Sequence, residues 1–170
     1  MNNPLLEDLI EVLTGEVALY EGILALLAEE GEALMSRRPQ SVLDLARRKE
    51  TLVLKIRTLE ESRYLICQRL AKAWDTPAAT LTLSEIAARS EPVLGARLVE
   101  IRGRMRACVD KLRGANDRNS DLCRHGMETV RSIMEAVAGE LNRPGRQAYG
   151  PKGGGATRSL EPASTMHWTT

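Results

Sequence analysis

The sequence has no phenylalanine, and aromatic residues of all kinds fill 3% of its 170 positions. A compact globular core recruits more rings than that. A core of Leu, Ile, Val, Ala and Met suits helix-on-helix packing, in which aliphatic knobs fill holes on a facing helix. Proteins that grip single-stranded nucleic acid stack bases on aromatic platforms beside basic residues, and Tyr64 is the only ring well inside the most basic segment. The formal net charge of +1 gives no general electrostatic footprint for nucleic acid. No run of about 18 uncharged apolar residues exists to span a membrane. The N-terminus lacks a basic leader and carries acids within its apolar stretch, so it does not read as a secretory signal. Cys67, Cys108 and Cys123 are few and widely spaced, which fits reduced thiols in a cytosolic protein better than a disulfide framework.

Charge is present but segregated. Between Met1 and Ser36 stand eight acids (Glu7, Asp8, Glu11, Glu16, Glu21, Glu29, Glu30, Glu32) and no Lys or Arg; between Arg37 and Trp74 stand ten bases and four acids. Taken alone the second segment resembles a nucleic-acid patch. Two neighbouring helices of opposite charge that pair with each other account for both segments, and that is the preferred reading.

Apolar spacing lays out the helices. The first is expected to open with Asn3 as N-cap and Pro4 at the first helical position, where a missing N–H costs nothing. Its seam reads Leu6, Ile10, Leu13, Val17, Tyr20, Leu24, Leu27, Gly31 and Leu34, in steps of four and three. Ser36-Arg37-Arg38-Pro39 ends it. A second helix is expected from about Ser41 to Trp74, with a seam of Leu45, Lys49, Leu52, Ile56, Leu59, Arg63, Ile66 and Leu70. Lys49 and Arg63 interrupt this seam. Either their stems lie along it with the charge carried out to water, or each meets an acid on the first helix. Asp75-Thr76-Pro77 is a stop, and Thr82-Leu83-Ser84-Glu85 has capping-box spacing for a short helix from about Leu83 to Arg89.

The last helix opens at Glu91-Pro92 and is the least uniform. Leu94, Leu98, Ile101, Met105, Cys108 and Leu112 form one seam; Gly114 to Asp121 is small and polar; Cys123, Met127, Val130, Met134, Val137 and Leu141 form another, displaced by one position. The helix either breaks near Gly114 or turns its two halves toward different neighbours. One long helix, locally weakened with a hinge at Gly114, Asn116 and Asn119, is the preferred reading. From Arg143 to Thr170, five Gly and three Pro among 28 residues leave little to bury, and a flexible tail is expected. The sequence thus predicts an all-α fold: an elongated antiparallel bundle of three long helices with a short connecting helix over residues 1–142, then a mobile tail over 143–170.

Chemistry finds little to stand on. Asp121, His125 and Glu128 share a helix face, but carboxylate-bridged metal bundles need Glu-x-x-His on two helices, and the second histidine, His167, lies in the tail. Cys123 and His125 are two apart and point to different sides. Gly153-Gly154-Gly155 lacks the Gly-Lys-Ser/Thr ending of a phosphate loop. No catalytic residue, metal or cofactor is expected. The stripe from Met127 to Leu141 either completes the core or receives an amphipathic partner helix, to which Met side chains adapt well.

An ordered set of short motifs carries a resemblance. The first helix has Leu13-x-x-Glu16-x-x-x-Tyr20-x-x-x-Leu24 and Glu30-x-Glu32-Ala33-Leu34; the second has Lys49-Glu50 and Leu59-Glu60-x-x-Arg63. Asn116-x-x-Asn119 and Tyr149-Gly150-Pro151-x-Gly153 follow. Over about residues 5 to 155 this set is similar to the FlgN family of flagellar export chaperones. The resemblance implies a cytoplasmic protein that masks the C-terminal helical segments of hook–filament junction proteins and delivers them to the type III export gate. It implies client contact at Leu122, Met127, Val130, Met134, Val137 and Leu141, and contact of Tyr149 with the gate's cytoplasmic domain. From the charge, the few rings and the lack of a long apolar run, neither nucleic-acid binding nor membrane insertion is expected. A coiled-coil scaffold, in which the same seams pair between identical chains, and a chaperone for another flagellar client are the alternatives.

Overall fold

The computed structural model describes residues 4–141, with the backbone alone at Leu141. It holds four α-helices and one 3-10 turn, and no strand among the described residues. The helices are α1 (Pro4–Met35), α2 (Pro39–Ala73), α3 (Leu83–Arg89) and α4 (Pro92–Leu141), with the 3-10 turn at Ala78–Thr80. The chain divides into two units, Met1–Arg131 and Ser132–Thr170, and the boundary falls within α4. The expected Asn3 cap and the expected tail over 143–170 lie outside the described residues.

Both helix ends before α3 close in the same way. At the end of α1, Arg38 N–H donates to the Ala33 carbonyl (2.9 Å) and Arg37 N–H to the Leu34 carbonyl (3.1 Å), with Arg37 left-handed at φ 51°. At the end of α2, Thr76 N–H donates to Ala71 (3.0 Å) and Asp75 N–H to Lys72 (3.3 Å), with Asp75 at φ 47°. This is the Schellman arrangement, and in both cases a proline follows within two residues. α2 starts two residues earlier than Ser41 because Pro39 occupies its first position, with φ already set and no N–H to satisfy. α3 begins where the capping spacing placed it: Thr82 Oγ1 accepts from Glu85 N–H at 3.2 Å.

Within the first unit, α2 runs antiparallel to α1, since Arg63 meets Glu16 and Lys49 meets Glu30. α4 runs parallel to α1, since Arg104 meets Glu21 and Asn119 meets Leu27 and Glu30. The main core joins Leu6, Leu9, Leu13, Leu70, Ile86 and Leu98 from all four helices. Each fully buried Leu or Ile contributes about 2 kcal/mol of transfer free energy. A smaller cluster of Leu26, Ala33 and Leu45 lies toward the α1–α2 turn. α3 plugs the other end. A Cβ on Gly95 would lie 2.6 Å from the Ala87 carbonyl, so only glycine lets the start of α4 approach α3 this closely. Arg89 stacks on the Trp74 ring at 4.6 Å and donates to Thr76 Oγ1 at 2.9 Å, tying α3 to the end of α2.

The two bases in the α2 seam each have an acid on α1. Arg63 Nε donates to Glu16 Oε1 at 2.9 Å, and Lys49 Nζ to Glu30 Oε1 at 2.6 Å. Glu16 is 1% exposed and Arg63 39%, so the cost of taking charge out of water falls on the carboxylate. Burial accordingly pushes the Glu16 pKa up, against the hydrogen bond and charge of Arg63, which pull it down. Burial is the largest single influence on Arg63 and pulls its pKa down, but the hydrogen bond to Glu16 and the charges of Glu16, Cys67 and Glu60 together outweigh it, and the net direction is upward.

The folded-state pKa of Glu16 lies above its unfolded value. Its contribution to stability is therefore fully present below the unfolded pKa and is lost as pH rises through the folded pKa. Removing Arg63 strands the carboxylate and raises its pKa further. Arg63→Ala is expected to cost about 3 kcal/mol at pH 7.5 and markedly less at pH 4.5. Glu16→Gln is expected to cost about 1 kcal/mol at pH 4.5 and less at pH 7.5, where the parent itself has lost the contribution of Glu16. Urea unfolding of each variant against the parent at both pH values checks this; an Arg63→Ala loss that does not change with pH contradicts it.

Candidate functional site

α4 changes character at one residue. Up to Asn119 its seam is covered: Leu94, Leu98, Ile101, Cys108, Ala115 and Asn119 are buried, and Met105 and Leu112 are half-buried. This seam keeps heptad steps for two positions beyond Leu112, through the small, polar stretch. From Ser120 to Arg131, in the first unit, every residue is exposed, and from Ser132 to Glu140, in the second, every residue is exposed as well.

The last covered position is polar. Asn119, 8% exposed, donates from Nδ2 to the Leu27 carbonyl at 2.7 Å and to Glu30 Oε2 at 3.0 Å. The other Glu30 oxygen accepts from Lys49. One buried carboxylate on α1 thus holds a side chain from α2 and a side chain from α4. Close approach needs Gly31, because a Cβ there would lie 2.9 Å from Asn119 Oδ1. Farther down α4, Arg104 pairs with Glu21 at 2.9 Å, with both side chains about half exposed, so this pair steers more than it stabilises.

Of the residues expected to meet a client, Leu122, Met127 and Val130 are exposed in the first unit. Met134 and Val137 are exposed in the second, and the Leu141 side chain lies outside the described residues. Met127 and Met134, 74% and 67% exposed, are far from the burial that a methionine in a completed core would have. A reading of α4 through Met127, Val130, Met134 and Val137 passes over Ile133, which is 57% exposed. Its spacing of three from Val130 and four from Val137 was the available signal. Helical spacing also sets Leu122, Gly126 and Val130 on the face of α4 that carries Cys108, Ala115 and Asn119. In the first unit, then, the covered face and the uncovered apolar face are the same face.

The hinge residues fall inside an unbroken helix: Gly114 is half-buried, Asn116 exposed and Asn119 buried. The Asp121, His125 and Glu128 set is not drawn together as ligands. Asp121 pairs with Arg124 at 3.3 Å, and His125 Nδ1 donates to the Asp121 carbonyl at 2.7 Å. Tyr149 lies outside the described residues. No described helix is long and apolar enough to cross a membrane.

Gly31→Ala adds about 1 kcal/mol of helix propensity but forces Asn119 off two hydrogen bonds. It is expected to destabilise the parent by about 1 kcal/mol, and to stabilise an Asn119→Ala background by a similar amount. Denaturant titrations of the four proteins of this cycle read the change of sign.

A family model described as FlgN protein matches residues 1–157. No curated protein and no solved structure matches the chain. The match takes in all four helices, the Glu30–Asn119 contact and the uncovered half of α4, and the family is one of flagellar chaperones. The chain belongs to the FlgN family.

Proposed function

We propose that this protein holds hook–filament junction proteins in the cytoplasm before type III export, masks their C-terminal helical segments, and hands them to the flagellar export gate. It acts by binding and not by catalysis, and it uses no cofactor. The reading rests on one observation: the apolar face of α4 that is covered as far as Asn119 goes on through Leu122 and Val130 with nothing over it among the described residues. A client segment that forms an amphipathic helix supplies the missing cover, and flexible Met127 and Met134 fit more than one such helix. The scaffold alternative used the buried seams for self-pairing. Those of α1 and α2 are occupied within the chain by the Glu16–Arg63 and Glu30–Lys49 contacts and the apolar core. Gly114, Asn116 and Asn119 mark where α4 leaves its cover, and in this reading the helix pivots there when a client arrives. Tyr149 is the proposed contact with the gate.

Met127→Asp and Val130→Asp are expected to weaken binding of a junction-protein C-terminal peptide at least tenfold, with stability changed by less than about 0.5 kcal/mol because both sites are exposed. Isothermal titration and thermal melts check both halves. Binding that survives both changes, or that prefers a peptide of the filament or its cap, overturns the client assignment. Tyr149→Ala is expected to leave peptide binding intact and to reduce capture by the gate's cytoplasmic domain; equal capture by parent and variant removes Tyr149 from this role.

A further inference from the structure

α2 carries a second apolar line, on the side away from α1. Leu43, Leu54 and Leu65 are spaced by eleven residues, three turns with a drift of about 20°, and all three are more than half exposed. Val53 and Tyr64 flank them and are exposed too. Ile56 and Ile66, which face the core, lie on the opposite side of the same helix. A shallow depression lined by Arg57, Glu60, Glu61, Tyr64 and Leu65 sits in this line. Tyr64 is laid along the helix by Gln68, whose Nε2 donates to its hydroxyl at 2.7 Å, which leaves the ring face open. Tyr and Arg beside exposed leucines is the composition of an interface centre.

The charges choose the occupant. Arg57 and Glu61 are four apart on this face, yet neither makes an ion pair among the described residues. We infer that this face of α2 binds the same face of a second copy, antiparallel, about a twofold axis that crosses the outward face midway between Arg57 and Glu61. In that register Leu54 packs on Leu65 of the other copy, Val53 on its Tyr64, and Arg57 meets its Glu61. The twofold repeats each contact, as a self-complementary interface requires. Arg47 and Lys72 meet at the rim, where solvent and salt screen them. A single helix pair covers less than the ~1,600 Å² of a standard interface, so association falls in the micromolar range. The contact uses none of the α4 residues of the client reading, so this inference is independent of it.

Sedimentation of the full chain over a concentration series is expected to show a monomer–dimer equilibrium, and Leu65→Glu to give monomer at every concentration with unchanged helicity. Arg57→Glu and Glu61→Arg are each expected to weaken the dimer about tenfold. Their combination recreates the pair with its signs exchanged and is expected to restore association. Only an interface of the chain with itself predicts that rescue. A parent chain that stays monomeric throughout, a dimer indifferent to Leu65→Glu, or a double variant no better than the singles overturns the proposal. Peptide titration of the Leu65→Glu monomer reads the client site separately and is expected to match the parent.

Discussion

The register of the first unit hangs on a carboxylate with both oxygens engaged. Glu30 accepts from Lys49 on α2 through one and from Asn119 on α4 through the other. Apolar seams alone tolerate sliding by a turn, because one leucine packs much like the next. A buried acid does not, since a shift by one turn leaves it facing hydrocarbon. Glu16 and Arg63 make a second such lock farther along α1. The two locks set the antiparallel alignment of α1 with α2, and the Glu30 lock alone also fixes the axial position of α4.

Much of this was legible beforehand. Helix number, the proline and threonine starts, the single long α4 and the opposition of acidic α1 to basic α2 all follow from spacing and charge. Burial of Glu16 and Glu30 was harder to see, because pattern reading assigns acids to the wet side. The trace they leave is indirect: Lys49 and Arg63 sit in an apolar seam that has no other reason to hold them. Asn119 hid for a similar reason. It stands in a run of small and polar residues that reads as a weak point, yet it keeps the heptad step and finds its partners on another helix. The start of α2 was misjudged because Ser41 is a good cap and Pro39 reads first as a stop; at a tight turn a proline serves as both.

The family assignment and the geometry meet in α4. In the proposed function, a chaperone of helical segments needs a surface that is apolar, adaptable and held in place. From Ser120 to Glu140, α4 has the first two in its valines, Ile133 and methionines, and within the first unit the Glu30–Asn119 contact anchors the helix to α1. The outward line of α2 is a different kind of surface, with leucines farther apart, charges between them and a tyrosine at the centre. The two faces suit two different tasks.

Starting a helix from coil is unfavourable by a factor of about a thousand, or roughly 4 kcal/mol, while each added residue costs little. The turns beyond Asn119 bear none of that initiation penalty, because they elongate a rod already begun at Pro92 and seated against α1. In the proposed reading, an arriving polypeptide therefore meets a template whose hydrogen-bond ladder is already running. In that reading, the ordering of backbone into helix on encounter falls on the arriving chain, while α4 only turns about its hinge.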